Sequence, residues 1–456
     1  MEAARAAEPA AGLDVDKLTY EIFSILESKF LFGYDDPKLF SAGASPQPAA
    51  GTAASAKATP LRSPTPPSGN KAKVCILSID GGGRAADGLL AGAALVRLEA
   101  SLRRRTEDDG ARLADFFDVA AGSGAGGVLA AMLIARGPHG RPLFSADDAL
   151  AFLLRSLRRG GGGGGWSDAT GGGGGVLRAL FRRPGGGAAF RKVFGDLTLR
   201  DTVRPVLVPC YDLATGGPFL FSRADAVETR AYDFRLRDVC AATCAGSSAV
   251  EARSCDGSTR IAAVGGGVAL GNPTAAAITH VLNNKREFPL AAGVEDLLVV
   301  SIGSGEGETR GAAASTSEIV RIAAEGVADM VRSTVVPNAH THVDQAVAMA
   351  FGHNRTSNYI RIQATGTPRA KGGGCGGVAE EMLAQKNVES VLFRGKKVAE
   401  QTNAEKLERF AHELVKERDR RRTSPVSPTA VKQQPSTTAP PASYSNLVSH
   451  MLTSIM

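Results

Sequence analysis

Two short apolar runs constrain this chain more than any other feature. "VCILSID" (74–80) and "FFDVAA" (116–121) are continuous apolar stretches that run straight into glycines. Each is followed by apolar residues at helical spacing, Leu89 to Leu98 after the first and Val128 to Ala135 after the second. A strand that is apolar at successive positions must be covered on both faces, and a parallel sheet flanked by helices provides that cover. Further runs at 204–213, 217–222 and 296–303 extend the series. Strands alternating with helices predict an α/β domain with a central, mostly parallel sheet.

The rest of the chain divides by composition. Residues 14–40 place Leu18, Ile22, Phe23, Leu26 and Phe30 at helical spacing and predict an amphipathic helical segment. Residues 41–71, rich in Ala, Ser, Thr and Pro, read as a flexible linker. The α/β domain is expected over 72–400, a C-terminal helix over 401–422 and a disordered tail over 423–456. Glycine supplies 54 of 456 residues, about 12% against an average near ~7%. No Gly-X-Y period accompanies it, which excludes collagen. Part of the excess lies in an insertion, 155–192, which also holds eight Lys or Arg residues and one acid, Asp168. That window reads as a solvated insertion or as a lid or anionic-surface contact around Trp166. It lacks the interleaved aromatics of a nucleic-acid surface.

Several classes fall away. The longest apolar stretches are far short of the ~20 residues that cross a bilayer. The first residues lack the apolar core of a secretion signal, so a cytoplasmic chain is expected. Six cysteines in 456 residues are too sparse for a disulfide framework. Cys240, Cys244 and Cys255 lack the second pair or nearby His that zinc requires and read as free thiols. His340, His342 and Asp344 read as a polar loop, and no metal or organic cofactor is implied.

The chemistry concentrates at the glycine junctions. In "IDGGGRAADG" (79–88), successive amides at a helix N-terminus can cradle a phosphate or a developing oxyanion. A triphosphate-binding loop would need Lys where Leu89 stands, and a dinucleotide fingerprint from Gly81 would need Gly where Ala86 stands. In "DVAAGSGAGGV" (118–128), Gly122, Gly124 and Gly127 satisfy G-x-G-x-x-G after a strand, which admits a dinucleotide site. The acid expected about 20 residues later is missing from a strand end, since Asp147 and Asp148 open a helix. The same strand, turn and helix is the shape of the nucleophile elbow G-x-S-x-G, with Gly124 at its middle position.

Taken together, "DGGGR" (80–84) and "GSGAGG" (122–127) resemble the oxyanion and elbow boxes of the patatin-like lipid acyl hydrolases. "VGGGVALGNPTAAAI" (264–278), "ATCAGSSAVEA" (242–252) and "VVSIGSG" (299–305) are similar to further boxes of that family in the same order. The leading segment 17–37 is similar to that of the plant group III patatin-related phospholipases. The resemblance covers roughly 72–400. It implies a three-layer α/β/α patatin-like domain and hydrolysis of membrane glycerolipids, phospholipids and galactolipids, of the phospholipase A or galactolipase type.

The resemblance also implies roles. An elbow Ser attacks the ester, an Asp serves as its base, and glycine-loop amides hold the oxyanion. Here the Ser position is Gly124 and the Asp position is Gly265, while Gly81, Gly82, Gly83 and Arg84 match the oxyanion box. Ala85 to Asp87 depart from that box as an apparent insertion. Ser123 is a stand-in nucleophile, although neighbouring side chains diverge in a tight turn. Ser247 and Ser248 have no visible base, and Asp80 is expected to accept amide protons of the glycine turn. The expected activity is therefore atypical acyl hydrolysis, or lipid binding and regulation without catalysis. Contact with an anionic membrane surface would be peripheral, favoured by a net charge of +7. If the elbow backbone is intact, Gly124→Ser with Gly265→Asp is expected to raise ester hydrolysis.

Overall fold

The computed structural model describes residues 72–83, 85–160, 186–245, 249–266, 270, 272–305, 351, 358–364, 375–391 and 395–423. The leading helical segment, the linker, most of the basic insertion, His340, His342 and the tail lie outside them.

Among the described residues, ten strands run in chain order: β1 (Val74–Ile79), β2 (Val119–Gly122), β3 (Val206–Asp212), β4 (Gly217–Ser222), β5 (Val250–Arg253), β6 (Arg260–Val264), β7 (Leu297–Ile302), β8 (Tyr359–Ile362), β9 (Lys386–Val391) and β10 (Gly395–Thr402). The described helices are α1 (Leu89–Thr106), α2 (Ala125–Ile134), α3 (Ala146–Gly160), α4 (Gly186–Phe194), α5 (Arg223–Glu228), α6 (Leu236–Thr243), α7 (Thr274–Asn283), α8 (Cys375–Ala384) and α9 (Asn403–Thr423).

The main sheet is ordered β5-β6-β3-β2-β1-β7-β8, with β4 also paired to β3. Five consecutive strands, β3-β2-β1-β7-β8, are parallel, and β4, β5 and β6 join antiparallel. β9 and β10 form a separate hairpin.

Pleating explains why the central strands are apolar throughout. Along β1, Cys75, Leu77 and Ile79 face one side and Val74 and Ile76 the other. The first side packs against α1, α2, α3, α4, α6 and α9. The second packs against α7, with Phe288 and Phe351 filling the layer. The result is the three-layer arrangement that the apolar runs predict. All ten residues of α2 are buried, because this helix lies inside one layer.

The final helix belongs to this core. Leu407, Phe410, Ala411 and Leu414 of α9 are buried in the same cluster as α1. Its last turn reaches the amino end of β1, where Arg421 donates to both carboxylate oxygens of Asp118 at 3.0 and 2.6 Å. Arg421 also donates to Glu417 Oε1 at 3.1 Å, and that oxygen accepts from the Lys73 amide at 2.7 Å. Asp118 is buried and accepts from the Cys75 amide at 2.8 Å, so the pair ties α9 to two strands. Removing one partner of a buried pair leaves an uncompensated charge. Arg421→Met is therefore expected to lower unfolding free energy by about 3 kcal/mol, measured by urea denaturation; a change below about 0.5 kcal/mol would remove this clamp from the stability account.

Candidate functional site

The glycine junctions emerge side by side at the carboxyl ends of β1 and β2, where open α/β sheets place ligands. β1 continues through Asp80 into Gly81, Gly82 and Gly83, then a short 3₁₀ turn, Ala85–Gly88, leads into α1. β2 continues through Ser123 and Gly124 into α2. Gly124 has φ 54° and ψ −124°, a conformation that glycine adopts and a residue with a β-carbon resists.

The two turns touch backbone to backbone. A β-carbon at Gly81 would lie 2.5 Å from the Gly126 nitrogen, and one at Gly126 would lie 2.8 Å from the Asp80 oxygen. The amides of the second turn are all engaged. Ser123 donates to Ile79 O at 3.1 Å, Gly124 to Thr243 Oγ1 at 2.9 Å, Ala125 to Gly82 O at 2.9 Å and Gly126 to Ser123 O at 2.9 Å. With these four amides engaged, the turn offers few donors to a pyrophosphate, which weighs against the dinucleotide reading. The amide following an elbow nucleophile is the usual oxyanion donor, and here it is held by Gly82. By contrast, the amides of Gly82 and Gly83 donate to no described residue.

Thr243, at the end of α6, brings the second and third boxes together. Its hydroxyl accepts from Gly124 and lies against Gly266, while its carbonyl oxygen is 3.5 Å from where a β-carbon on Gly265 would sit. Sequence reading quoted its segment without giving it a role. Ser123 is wholly buried; its Oγ is 3.1 Å from the β-carbon position of Gly266 and meets no partner among the described residues. Such burial leaves this hydroxyl no exposed surface on which to meet an ester. Arg84, Ser247, Ser248 and Gly267 lie outside the described residues.

Neither Gly124 nor Gly265 has room for a side chain. A β-carbon at Gly124 would lie 2.7 Å from the Gly82 carbonyl carbon and 2.8 Å from Gly81 O. At Gly265 it would lie 2.5 Å from Ala245 O. Real β-carbons do not approach backbone so closely, so a Ser at position 124 or an Asp at position 265 requires the facing backbone to shift. The Gly81–Gly82 backbone occupies the space that a side chain at position 124 would need.

Acidic groups near the loop differ from expectation too. Asp80 does not cap the glycine turn. It is buried, and its Oδ2 accepts from Arg361 Nη2 on β8 at 2.5 Å. From Arg361 a hydrogen-bonded relay runs through Ser301 and Thr274 to Ser78, at 2.7, 2.8 and 2.8 Å. Asp87, in the inserted segment, turns its carboxylate onto Gly82; its Cγ is 3.0 Å from a β-carbon position there. Burial pushes the nearby Cys244 thiol far up, with Asp87 adding to the effect, so this cysteine remains protonated. Burial likewise raises Cys210 to about 12.

With this geometry in place, relatives were compared. A family model described as patatin-like phospholipase matches residues 77–278. Patatin-like protein 3 of Oryza sativa subsp. indica is 61% identical over 429 residues, covering 90% of this chain and 94% of that protein. The chain belongs to the patatin-like family. Patatin-like protein 7 of Arabidopsis thaliana is 48% identical over 442 residues, covering 92% and 85%. Another relative, 38% identical over 422 residues and covering 88% and 93%, is named probable inactive patatin-like protein 9 of Arabidopsis thaliana. The patatin-like model spans both glycine junctions, Thr243 and Gly265. Among the described residues, no helix is long and apolar enough to cross a membrane.

The contact between the turns makes a stability prediction. Gly124→Ala combines a positive φ with a collision against the Gly82 carbonyl, and is expected to cost at least about 2 kcal/mol in urea denaturation. Unchanged stability would mean that the two turns are free to separate.

Proposed function

We propose that this patatin-like protein is a slow acyl hydrolase of membrane glycerolipids, phospholipids or galactolipids, that works without an elbow nucleophile. The observation that carries this reading is the pair of unengaged amides at Gly82 and Gly83, beside a carboxylate, Asp87, at the mouth of a patatin-like sheet. In this scheme the ester carbonyl oxygen is held by the glycine-loop amides of Gly82 and Gly83. Water attacks the carbonyl carbon and gives its proton to the Asp87 carboxylate. The tetrahedral intermediate then collapses, its acyl–oxygen bond breaks, and Asp87 returns the proton to the departing alcohol. Fatty acid and lysolipid leave.

Magnitude supports a slow reaction. An oxyanion hole with substrate binding, stripped of its triad, leaves roughly 10³–10⁴-fold acceleration over water in a protease. A positioned general base adds about 10²–10⁴-fold. Access to lipid is peripheral, and the basic insertion would favour anionic surfaces at about 1 kcal/mol per nearby Lys or Arg.

A second reading is lipid binding without hydrolysis. Capture of the Ala125 amide by Gly82 O favours it, as does the name of the inactive relative.

One assay separates the two. Purified protein is incubated with phosphatidylcholine and galactolipid vesicles, and free fatty acid is measured. The hydrolase reading expects slow release, abolished by Gly82→Asp and reduced about 10²-fold or more by Asp87→Asn. Retained lipid with no release would establish the binding reading, and release surviving Gly82→Asp would place the chemistry elsewhere.

A further inference from the structure

A second cluster of charge lies at the other end of the sheet. A cavity of about 240 Å³ opens between the last turn of α9 and the segments preceding β2 and β3. Four arginines line it: Arg204, Arg418, Arg421 and Arg422. Two acids, Asp115 and Glu417, share the lining, and both are already paired. Asp115 holds Arg141 at 3.0 Å, and Glu417 holds Arg421 at 3.1 Å together with Arg420. Arg421 is itself committed to Asp118. Arg204 and Arg422 have no ion pair with any described residue. Arg418 has only a 3.5 Å contact with Asp419.

Two of these guanidinium groups are held in place. Arg204 Nε donates to Ala114 O at 2.9 Å, which leaves its terminal nitrogens for other acceptors. Arg418 stacks over the Phe116 ring at 5.2 Å, and its buried Nε meets no acceptor among the described residues. The carbonyl end of a helix disfavours an anion by about half an elementary charge. Three largely uncompensated guanidinium groups outweigh that. Planar arginine forks, with no lysine among them, match the oxygens of a phosphate.

The geometry points to a phosphate-binding site in this cleft, one that takes a soluble phosphomonoester. Its position decides between a soluble ester and a lipid headgroup. The cleft lies at the amino ends of the strands and the glycine junctions at their carboxyl ends, separated by the six residues of β1, roughly 20 Å. A bilayer gripped here would leave the glycine junctions facing away from it. The anion therefore acts on the clamp between α9 and the sheet, and the inference stands whether or not the protein hydrolyses lipid.

The test is calorimetric titration with inorganic phosphate and with glycerol 3-phosphate at constant ionic strength, using potassium chloride as control. In parallel, co-sedimentation is measured with phosphatidylcholine vesicles containing phosphatidic acid. Saturable binding of glycerol 3-phosphate is expected. It should weaken about tenfold in each of Arg204→Gln and Arg418→Gln, with folding checked by circular dichroism. Arg422→Gln, at an exposed position, keeps the test available should either variant fail to fold. Absence of saturable binding, or affinity unchanged in every folded variant, would overturn the site. Binding confined to phosphatidic acid vesicles and lost in the variants would overturn the assignment to a soluble ester.

Discussion

The close approach of two glycine backbones organises this molecule. Gly81 and Gly82 lie against Gly124 and Gly126 without a side chain between them, and the Ala125 amide closes on the Gly82 carbonyl. Everything at the carboxyl end of the sheet follows from that contact. It holds the first strand's exit over the second strand's exit, and with Thr243 it places the third glycine corner beside them. The same contact consumes one oxyanion donor and the volume of a nucleophile. One hydrogen bond, from the Ala125 amide to the Gly82 carbonyl, thus fastens the two turns together.

Such a site differs from one that merely lost two side chains. In a scaffold with empty positions, chemistry would return with the residues. Here backbone stands where side chains at Gly124 and Gly265 would project, so the chemistry proposed above draws on groups outside those two positions. Asp87 is the notable one. It lies in the 3₁₀ turn before α1, and its carboxylate faces the loop that carries the two unengaged amides. Membership in the patatin-like family, with relatives that include one named probable inactive, is compatible with a range of outcomes on a single fold.

How much of this was legible in the sequence depends on how each element is solvated. β1, β2, β3 and β7 were readable because strands in the middle of the sheet are buried and largely apolar, and half-exposed β4 was readable from Phe219, Leu220 and Phe221. Phe116 and Phe117 joined the second run in the sequence, although they precede β2, because a buried turn looks like a strand when its residues are large and apolar. β5 and β6 escaped notice, since they alternate buried and exposed positions and carry Glu251, Arg253 and Arg260. The β9–β10 hairpin sets Val388, Val391 and Val398 among polar residues and offers no periodic apolar signal. At the site, glycines announced the turns, but their partners did not. Thr243 lies 119 residues from Gly124, and Arg361 lies 281 from Asp80. No local pattern encodes such pairings. The blocked β-carbon positions were equally invisible, because only three-dimensional contact shows that a vacancy has been filled.

The clamp of α9 on the first strands has a consequence for synthesis. Asp118 meets Arg421 across 303 residues, and Lys73 meets Glu417 across 344. A nascent chain carries β1 and β2 out of the ribosome long before the helix that covers their layer exists. At about 5–20 residues per second, that wait lasts on the order of tens of seconds. During it, two uninterrupted apolar strands lack part of their cover, so this protein should depend on chaperones while it is being made. A ribosome that stalls before α9 would release a chain with its core open.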